Sequence, residues 1–213
     1  MIVKVCGMRE AQNIRDVEAL GVSWMGFIFW PKSKRLCSEI PAYLPITCKR
    51  VGVFVNAEVE EIVEKTVAYG LDIIQLHGDE SRPYIMQLRQ ALYAHPALIN
   101  GPVRQIVKAM SLKEKSDLQR CEPYVGFVDY FLFDTPSAGY GGTGRQFDWQ
   151  LLSEYNCMTP FILSGGIGPD SVEALKAFQH PCLAGIDLNS RFEVSPGLKD
   201  VPAIASFLDA MVQ

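Results

Sequence analysis

The chain has 213 residues, a formal net charge of −4, 48% apolar residues and 21% charged residues. This composition is ordinary for a soluble domain, and the length allows one domain to bury a substantial core. No block of Lys and Arg is present, which argues against nucleic acid as the main partner. The longest mostly apolar run, Gly21 to Pro31, is too short to span a bilayer, so we expect no membrane partner.

The N-terminal residues and the cysteines indicate the cellular compartment that we expect. The N-terminal residues lack the basic segment and long apolar stretch of a signal peptide. The six cysteines form no C-x-x-C pair, and no histidine stands at the spacing of metal ligands. We therefore expect reduced thiols in a cytoplasmic protein.

Eight short segments rich in Val, Ile and Phe predict β-strands, and most of them do not alternate cleanly between apolar and polar residues. This pattern is typical of strands that are buried on both faces of a parallel sheet. The predicted strands are Ile2–Cys6, Trp24–Phe29, Arg50–Val55, Ile73–Leu76, Gln105–Ala109, Tyr130–Phe133, Phe161–Leu163 and Leu183–Asp187.

Amphipathic segments between the strands predict helices. They are Arg9–Leu20, Glu58–Ala68, Arg82–Leu92, Asp170–Phe178 and Val201–Met211. Two units are weaker, because Pro41 and Pro45 interrupt the one after the second strand and Leu112–Arg120, after the fifth, is strongly polar. The eightfold alternation favours an α/β fold, a single (β/α)8 TIM barrel over residues 1–213, with a doubly wound open sheet as the structural alternative.

Polar and glycine residues follow the predicted strands at one end of the barrel, where active sites of this fold lie. Cys6 ends the first strand and Asp134 follows the sixth. If both face the lumen, strand parity turns Val5 and Phe133 toward the helices, and Gln75 shares one face with His77. A thiol and a carboxylate on opposite walls can move protons in opposite directions. Each residue also has a simpler interpretation, as a core cysteine or a turn aspartate.

Glycine clusters predict a phosphate site on the same rim, because glycine lets backbone N–H groups approach an anion. The clusters are Gly141–Gly144 and Gly165–Gly166. A short helix within Asn189–Ser195 would complete the phosphate site that is common in this fold. Arg35 has the fork geometry that suits a carboxylate, although taken alone Lys32, Lys34 and Arg35 are better explained as a solvated loop.

Several stretches in chain order resemble the phosphoribosylanthranilate isomerase family of tryptophan biosynthesis. Together they cover nearly the whole sequence. They are Val3–Gly7, Gly26–Phe29 with Ser33–Arg35, Val51–Asn56, Gln75–Gly78, Phe133–Thr135, Gly141–Gly144 through Trp149, Leu163–Gly166, and Asp187–Ser190 through Glu193 and Pro196–Asp200.

The resemblance implies an Amadori rearrangement of N-(5-phosphoribosyl)anthranilate, an aminoaldose, to 1-(2-carboxyphenylamino)-1-deoxyribulose 5-phosphate. By analogy, Asp134 is the general acid that opens the furanose ring, and Cys6 is the general base that removes the C2 proton. Arg35 would hold the anthranilate carboxylate, with Gln75, His77 and Asp187 as further substrate contacts. The phosphate would be bound by Gly142, Gly144, Gly165, Gly166, Asn189 and Ser190.

The resemblance also implies that no metal, nicotinamide or flavin is needed, and that a small phosphosugar is the partner of a monomer or homodimer. Two positions depart from the family pattern. Arg191 replaces a small residue, so that it either points to solvent or adds a charge beside the phosphate, and Arg9 replaces a Thr before the first helix, where we expect an altered cap.

Two other functions stay open at this point. An indole-glycerol-phosphate synthase-like lyase would share the barrel, but its lysine-rich first-strand signature is missing and Cys6-Gly7 stands there instead. A barrel that binds a phosphorylated ligand without turning it over would need neither Cys6 nor Asp134.

Overall fold

The structure, a computed structural model, describes residues 1–134 and 149–212. Eight parallel strands form a closed barrel in chain order, and β8 returns to pair with β1. The strands are β1 (Ile2–Cys6), β2 (Trp24–Ile28), β3 (Lys49–Phe54), β4 (Ile73–Leu76), β5 (Gln105–Ser111), β6 (Tyr130–Asp134), β7 (Phe161–Leu163) and β8 (Leu183–Leu188). Closure confirms the predicted barrel and excludes the open sheet.

Helices cover the outside of the barrel, close to the predicted bounds. The α-helices are α1 (Ala11–Glu18), α2 (Val59–Tyr69), α3 (Arg82–Ala94), α4 (Val172–Ala177) and α5 (Val201–Val212). Shorter 3₁₀ helices span Lys115–Tyr124, Trp149–Glu154, Pro169–Ser171 and Ser190–Phe192. A small antiparallel pair, β9 (Glu193–Ser195) and β10 (Leu198–Lys199), follows β8 outside the barrel.

The two weak units lack an α-helix. Residues 29–48, after β2, form turns and one bridge between Ile28 and Leu36, in the region that Pro41 and Pro45 interrupt. After β5 the chain forms the 3₁₀ helix Lys115–Tyr124, in which only Leu118 and Cys121 are buried. Two buried side chains give too little apolar surface to hold a longer amphipathic helix.

The side chains of the strands separate into two apolar layers, as the parity argument predicts. Cys6 and Leu132 pack inside the barrel with Val53. Val5 and Phe133 belong to the larger layer between strands and helices. This arrangement leaves the ends of the inward-facing rows open at the carboxyl rim of the barrel.

Candidate active site

An open pocket of about 710 Å³ lies at the carboxyl ends of the strands. Every predicted site residue that the structure describes lines it. These residues are Cys6, Arg35, Gln75, His77, Asp134, Gly165, Gly166, Asp187, Asn189 and Ser190. Gly142 and Gly144, which we predict to bind phosphate, lie outside the described residues.

Cys6 and Asp134 occupy the ends of β1 and β6, which two other strands separate in the closed barrel. Both residues are buried, with 3% and 8% of their surface exposed. Gly26 stands beside Cys6 on β2, and a Cβ there would lie 2.8 Å from the Cys6 Sγ. The absence of a side chain at Gly26 therefore makes room for the thiol.

A buried ion pair lies below Cys6. The Lys4 Nζ donates to the Asp187 Oδ1 at 2.8 Å, and the Ser164 hydroxyl donates to the Asp187 Oδ2 at 3.2 Å. Burial opposes the charged form of Lys4, but the Asp187 carboxylate and the Cys6 thiolate favour it, so the pKa of Lys4 is raised. The pair places a fixed cation two residues before the thiol on the same face of β1.

Burial raises the pKa of the Cys6 thiol, and three charged side chains, Lys4, Asp187 and Lys199, also act on it. The Lys4 ammonium favours the thiolate, whereas the Asp187 carboxylate disfavours it. The net effect is that the pKa of Cys6 lies above its ordinary value. A base at this position therefore depends on positive charge nearby.

Gln75 and His77 lie side by side on the Asp134 side of the pocket. The Gln75 Nε2 and the His77 Nδ1 are 2.9 Å apart, and the His77 Nε2 is 3.6 Å from the Asp134 Oδ2. When the Gln75 amide donates to Nδ1, the imidazole carries its proton on Nε2 and presents it to Asp134. His77 can thus orient the carboxylate.

A second buried ion pair supports the loop after β4. The Lys108 Nζ donates to the Gly78 carbonyl at 2.6 Å and to the Glu80 Oε2 at 3.1 Å. The backbone N–H groups of Asn56 and Gly78 donate to the same carboxylate. Burial lowers the pKa of Lys108. This network holds the peptide that follows His77.

Arg35 lines the pocket but already has a carboxylate partner. Its Nε and Nη2 donate to the two oxygens of Glu193 at 2.8 and 2.6 Å. Lys199 also donates to Glu193, at 2.7 Å, and to the Asn189 Oδ1, at 2.8 Å. Burial raises the pKa of Glu193, but Arg35 and Lys199 outweigh it, and the net shift is downward.

The two predicted phosphate segments that the structure describes, Gly165–Gly166 and Asn189–Ser190, line the same pocket. Gly165 and Gly166 have φ angles of +82° and +73°, which side chains rarely adopt. The short helix expected within Asn189–Ser195 is a single 3₁₀ turn, Ser190–Phe192. The chain then enters β9, where Glu193 reaches Arg35 and Lys199, so the helix cannot continue.

A family model described as "N-(5'phosphoribosyl)anthranilate (PRA) isomerase" matches residues 3–210. The chain belongs to this isomerase family. Relatives named N-(5'-phosphoribosyl)anthranilate isomerase include one from Phocaeicola vulgatus, 47% identical over 213 residues that span all of this chain and 98% of the relative. Another, from Parabacteroides distasonis, is 46% identical over 218 residues, covering all of this chain and 94% of the relative.

Solved structures of phosphoribosyl anthranilate isomerases share the fold. The Thermotoga maritima enzyme superposes with a TM-score of 0.79 at 29% identity, covering 100% of this chain and 99% of the other. A complex of such an isomerase with reduced 1-(o-carboxyphenylamino)-1-deoxyribulose 5-phosphate gives 0.77 at 28% identity, with the same coverage. Membership of the isomerase family removes the lyase alternative.

The two departures from the family pattern have different structural outcomes. Arg191 is exposed and does not line the pocket, and its guanidinium binds the Gly166 carbonyl and Asp170. Helix α1 begins at Ala11, and its N-cap, Glu10, makes no capping hydrogen bond with its side chain. Arg9 lies 3.6 Å from the Glu10 carboxylate instead.

Sequence reasoning missed the residues that hold the site residues in place. Glu193 and Lys199 stood in the family motif without an assigned role, although their opposite charges could have signalled an ion pair. Glu80 and Lys108 gave no signal, since each is one charged residue near a strand. Trp30 and Ser33, which also line the pocket, fall in the segment after β2 that carried no periodic pattern.

Proposed function

We propose that this chain isomerises N-(5-phosphoribosyl)anthranilate to the aminoketose, with Asp134 as general acid and Cys6 as general base. As a member of the family, the chain is an isomerase. The observation that carries the residue assignment is the presence of a thiol and a carboxylate in one nearly buried pocket, beside two glycine loops. Residues of these two types on separate strands suit proton transfer at two different atoms of one substrate.

Ring opening begins at Asp134. Its carboxylic acid gives a proton to the furanose ring oxygen, the C1–O bond breaks, and the nitrogen lone pair forms the C1=N bond of a protonated Schiff base. The former ring oxygen stays bonded to C4 and becomes its hydroxyl group. The His77 imidazole, 3.6 Å from the Asp134 Oδ2, orients the carboxyl group for this step.

Cys6 acts next, as a thiolate. It takes the proton from C2, the C–H electron pair forms the C1=C2 bond, and the C1=N electron pair returns to nitrogen. The resulting enolamine becomes the ketone when a proton moves from the C2 hydroxyl to C1. The positive Schiff base adds a cation beside Cys6, and with Lys4 it offsets the burial that raises the pKa of the thiol.

Arg35 binds the anthranilate carboxylate in this proposal. Glu193 accepts hydrogen bonds from Nε–H and from one of the two N–H groups of Nη2. A guanidinium has five N–H donors. The edge formed by Nη1 and Nη2 therefore stays available to a second carboxylate. Glu193 fixes the plane of the guanidinium, so that the substrate meets an ordered fork. The apolar side chains of Ile28 and Val53 line the same pocket and can contact the aromatic ring.

The phosphate lies against Gly165, Gly166, Asn189 and Ser190 in this proposal, with Gly142 and Gly144 from outside the described residues. Backbone N–H groups at these positions can donate to the phosphate oxygens. We further propose that Gln75, His77 and Asp187 contact the ribose. Asp187 already accepts hydrogen bonds from Lys4 and Ser164, which fixes its position in the pocket.

We also propose one catalytic domain over residues 1–213 that binds a small phosphosugar as a monomer or homodimer, without a cofactor, in the cytoplasm. The barrel strands run from Ile2 to Leu188, and helix α5 packs back against α1. All six cysteines are free thiols, which suits a reducing compartment. Among the described residues, no helix is long and apolar enough to cross a membrane.

The experiment is a turnover assay that follows the loss of substrate fluorescence. We expect the unmodified chain to turn over the aminoaldose, and Cys6→Ser and Asp134→Asn each to lower kcat by about 10²- to 10⁴-fold. Both replacements preserve size and polarity, so circular dichroism should show folded proteins. Near-normal kcat in both folded variants would overturn the acid–base assignment. No turnover by the unmodified chain would favour a barrel that only binds a phosphosugar.

A further inference from the structure

Arg191 is the residue at which this chain departs from its family in the loop after β8, and the structure gives its guanidinium a defined place. Nη1 donates to the Gly166 carbonyl at 3.1 Å and lies 2.8 Å from the Asp170 Oδ1. Nη2 donates to the Asp170 Oδ2 at 3.0 Å. The guanidinium thus forms a two-point pair with Asp170 and also binds the backbone of a glycine that lines the pocket.

These contacts join the two loops that carry the described phosphate residues. We call residues 164–171 the β7 loop and residues 189–192 the β8 loop. Among the described residues, the hydrogen bonds between the two loops all come from the Arg191 side chain. Phe192, the next residue, is fully buried and packs on Phe207, so the backbone next to Arg191 is anchored by the core.

We propose that Arg191 is a positioning residue that clamps the β7 loop to the β8 loop and so preorganises the phosphate site of the isomerase. The inference rests on the proposed function for the identity of the substrate. Gly165 and Gly166 both have positive φ angles, and glycine loses the most conformational freedom on ordering. A side chain that binds the Gly166 carbonyl lowers the entropy that phosphate binding would otherwise have to remove.

The clamp acts through geometry rather than through its charge. Asp170 neutralises Arg191 across a two-point pair, and Arg191 does not line the pocket. Hydrogen bonding with Arg191 holds the pKa of Asp170 below its ordinary value. A lysine at position 191 would keep the positive charge but lack the planar fork that binds Asp170 and Gly166 together.

Gly168 gives an independent way to open the clamp. The guanidinium lies against this glycine, and a Cβ at position 168 would stand 2.5 Å from the Arg191 Cζ. The φ angle of Gly168 is −142°, which alanine adopts without strain. The variant Gly168→Ala should therefore displace the guanidinium while it leaves the charge and the backbone conformation intact.

The test measures binding of ribose 5-phosphate by calorimetry, beside steady-state kinetics. We expect Arg191→Ala to raise the Kd of ribose 5-phosphate and the KM of the substrate about 10-fold, with kcat and the inhibition constant of anthranilate nearly unchanged. Arg191→Lys should behave like Arg191→Ala. Gly168→Ala should raise both constants too, and the double variant should add little. Arg120→Ala removes a comparable exposed arginine paired with Asp117 and should change nothing.

Three results would overturn the clamp. They are an unchanged Kd in Arg191→Ala, a full recovery in Arg191→Lys, which would assign the effect to charge, and no measurable binding of ribose 5-phosphate to the unmodified protein. Because calorimetry needs no turnover, the clamp is tested apart from the proposed function. An inactive protein whose phosphate affinity still depends on Arg191 would refute the isomerase and retain the clamp.

Discussion

The Cys6 thiol lies near the ion pair of Lys4 and Asp187, whose opposite charges both affect its pKa. Lys4 and Asp187 are each more than 90% buried, and both act on the thiol. Their attraction keeps the two charges in the barrel interior, where either one alone would be costly. Burial disfavours the thiolate most, and Lys4, Asp187 and the more distant Lys199 then adjust the thiolate fraction at Cys6.

Removal of each charge should move the pH profile in a different direction. In Lys4→Met the cation that favours the thiolate is gone, so the pKa of Cys6 should rise and kcat/KM should reach its plateau at higher pH. In Asp187→Asn the opposing anion is gone, so the pKa of Cys6 should fall and the plateau should begin at lower pH. The measurement is kcat/KM against pH for both variants.

Stability provides the control for these variants. Lys4→Met leaves Asp187 buried without its cation, which should cost about 3–5 kcal/mol in the free energy of unfolding. The double variant Lys4→Met/Asp187→Asn removes both charges and should recover much of that loss. Profiles that move in the same direction in the two single variants would show that the charges do not tune Cys6.

At the scale of elements, Glu18 organises the segment that has no helix. This residue ends α1, and its carboxylate accepts hydrogen bonds from the Tyr43 hydroxyl, the Ile46 N–H and both donors of Thr47. Burial raises the pKa of Glu18, but these donors outweigh it and hold the pKa at about 2, below an ordinary value of 4.5. The carboxylate replaces the hydrogen bonds that a helix would have made within itself.

We expect Glu18→Gln to lower the free energy of unfolding at pH 7 by about 2 kcal/mol, because charged hydrogen bonds are lost. The folded pKa lies below the ordinary one, so the charge stabilises the protein above pH 4.5, and this contribution disappears as the pH falls toward about 2. The difference in Tm between the variant and the unmodified chain should therefore shrink over that range. Glu64→Gln, at an exposed position of α2, is the control and should show little effect at either pH. An equal loss of Tm at pH 7 and pH 3 would contradict the role of the Glu18 charge.

The strands were easier to predict than the segments between them. Buried strands such as Phe161–Leu163 are short apolar runs, and the run itself defines their bounds. A short helix was predicted somewhere within Asn189–Ser195, but not its end at Phe192, because local sequence does not reveal that Glu193 lies in β9 and pairs with Arg35 and Lys199. Tertiary ion pairs outweighed local preference there.

At the scale of the whole molecule, closure of the barrel assembles the site from the two ends of the chain. Lys4 and Asp187 are 183 residues apart, and Arg35 and Glu193 are 158 apart. Strand parity and the family resemblance predicted which residues line the rim. They did not predict these partners, because a pairing across the closed sheet depends on register and side-chain direction, which no local pattern contains.

The acid–base pair is tested most directly by kcat with substrate that carries deuterium at C2. We expect Cys6→Ser to slow removal of the C2 proton until it limits turnover, so deuterium should lower kcat in that variant. Asp134→Asn should slow ring opening, which comes first, so deuterium should leave its kcat unchanged. The reverse pattern, with an isotope effect in Asp134→Asn and none in Cys6→Ser, would contradict the assignment of acid and base.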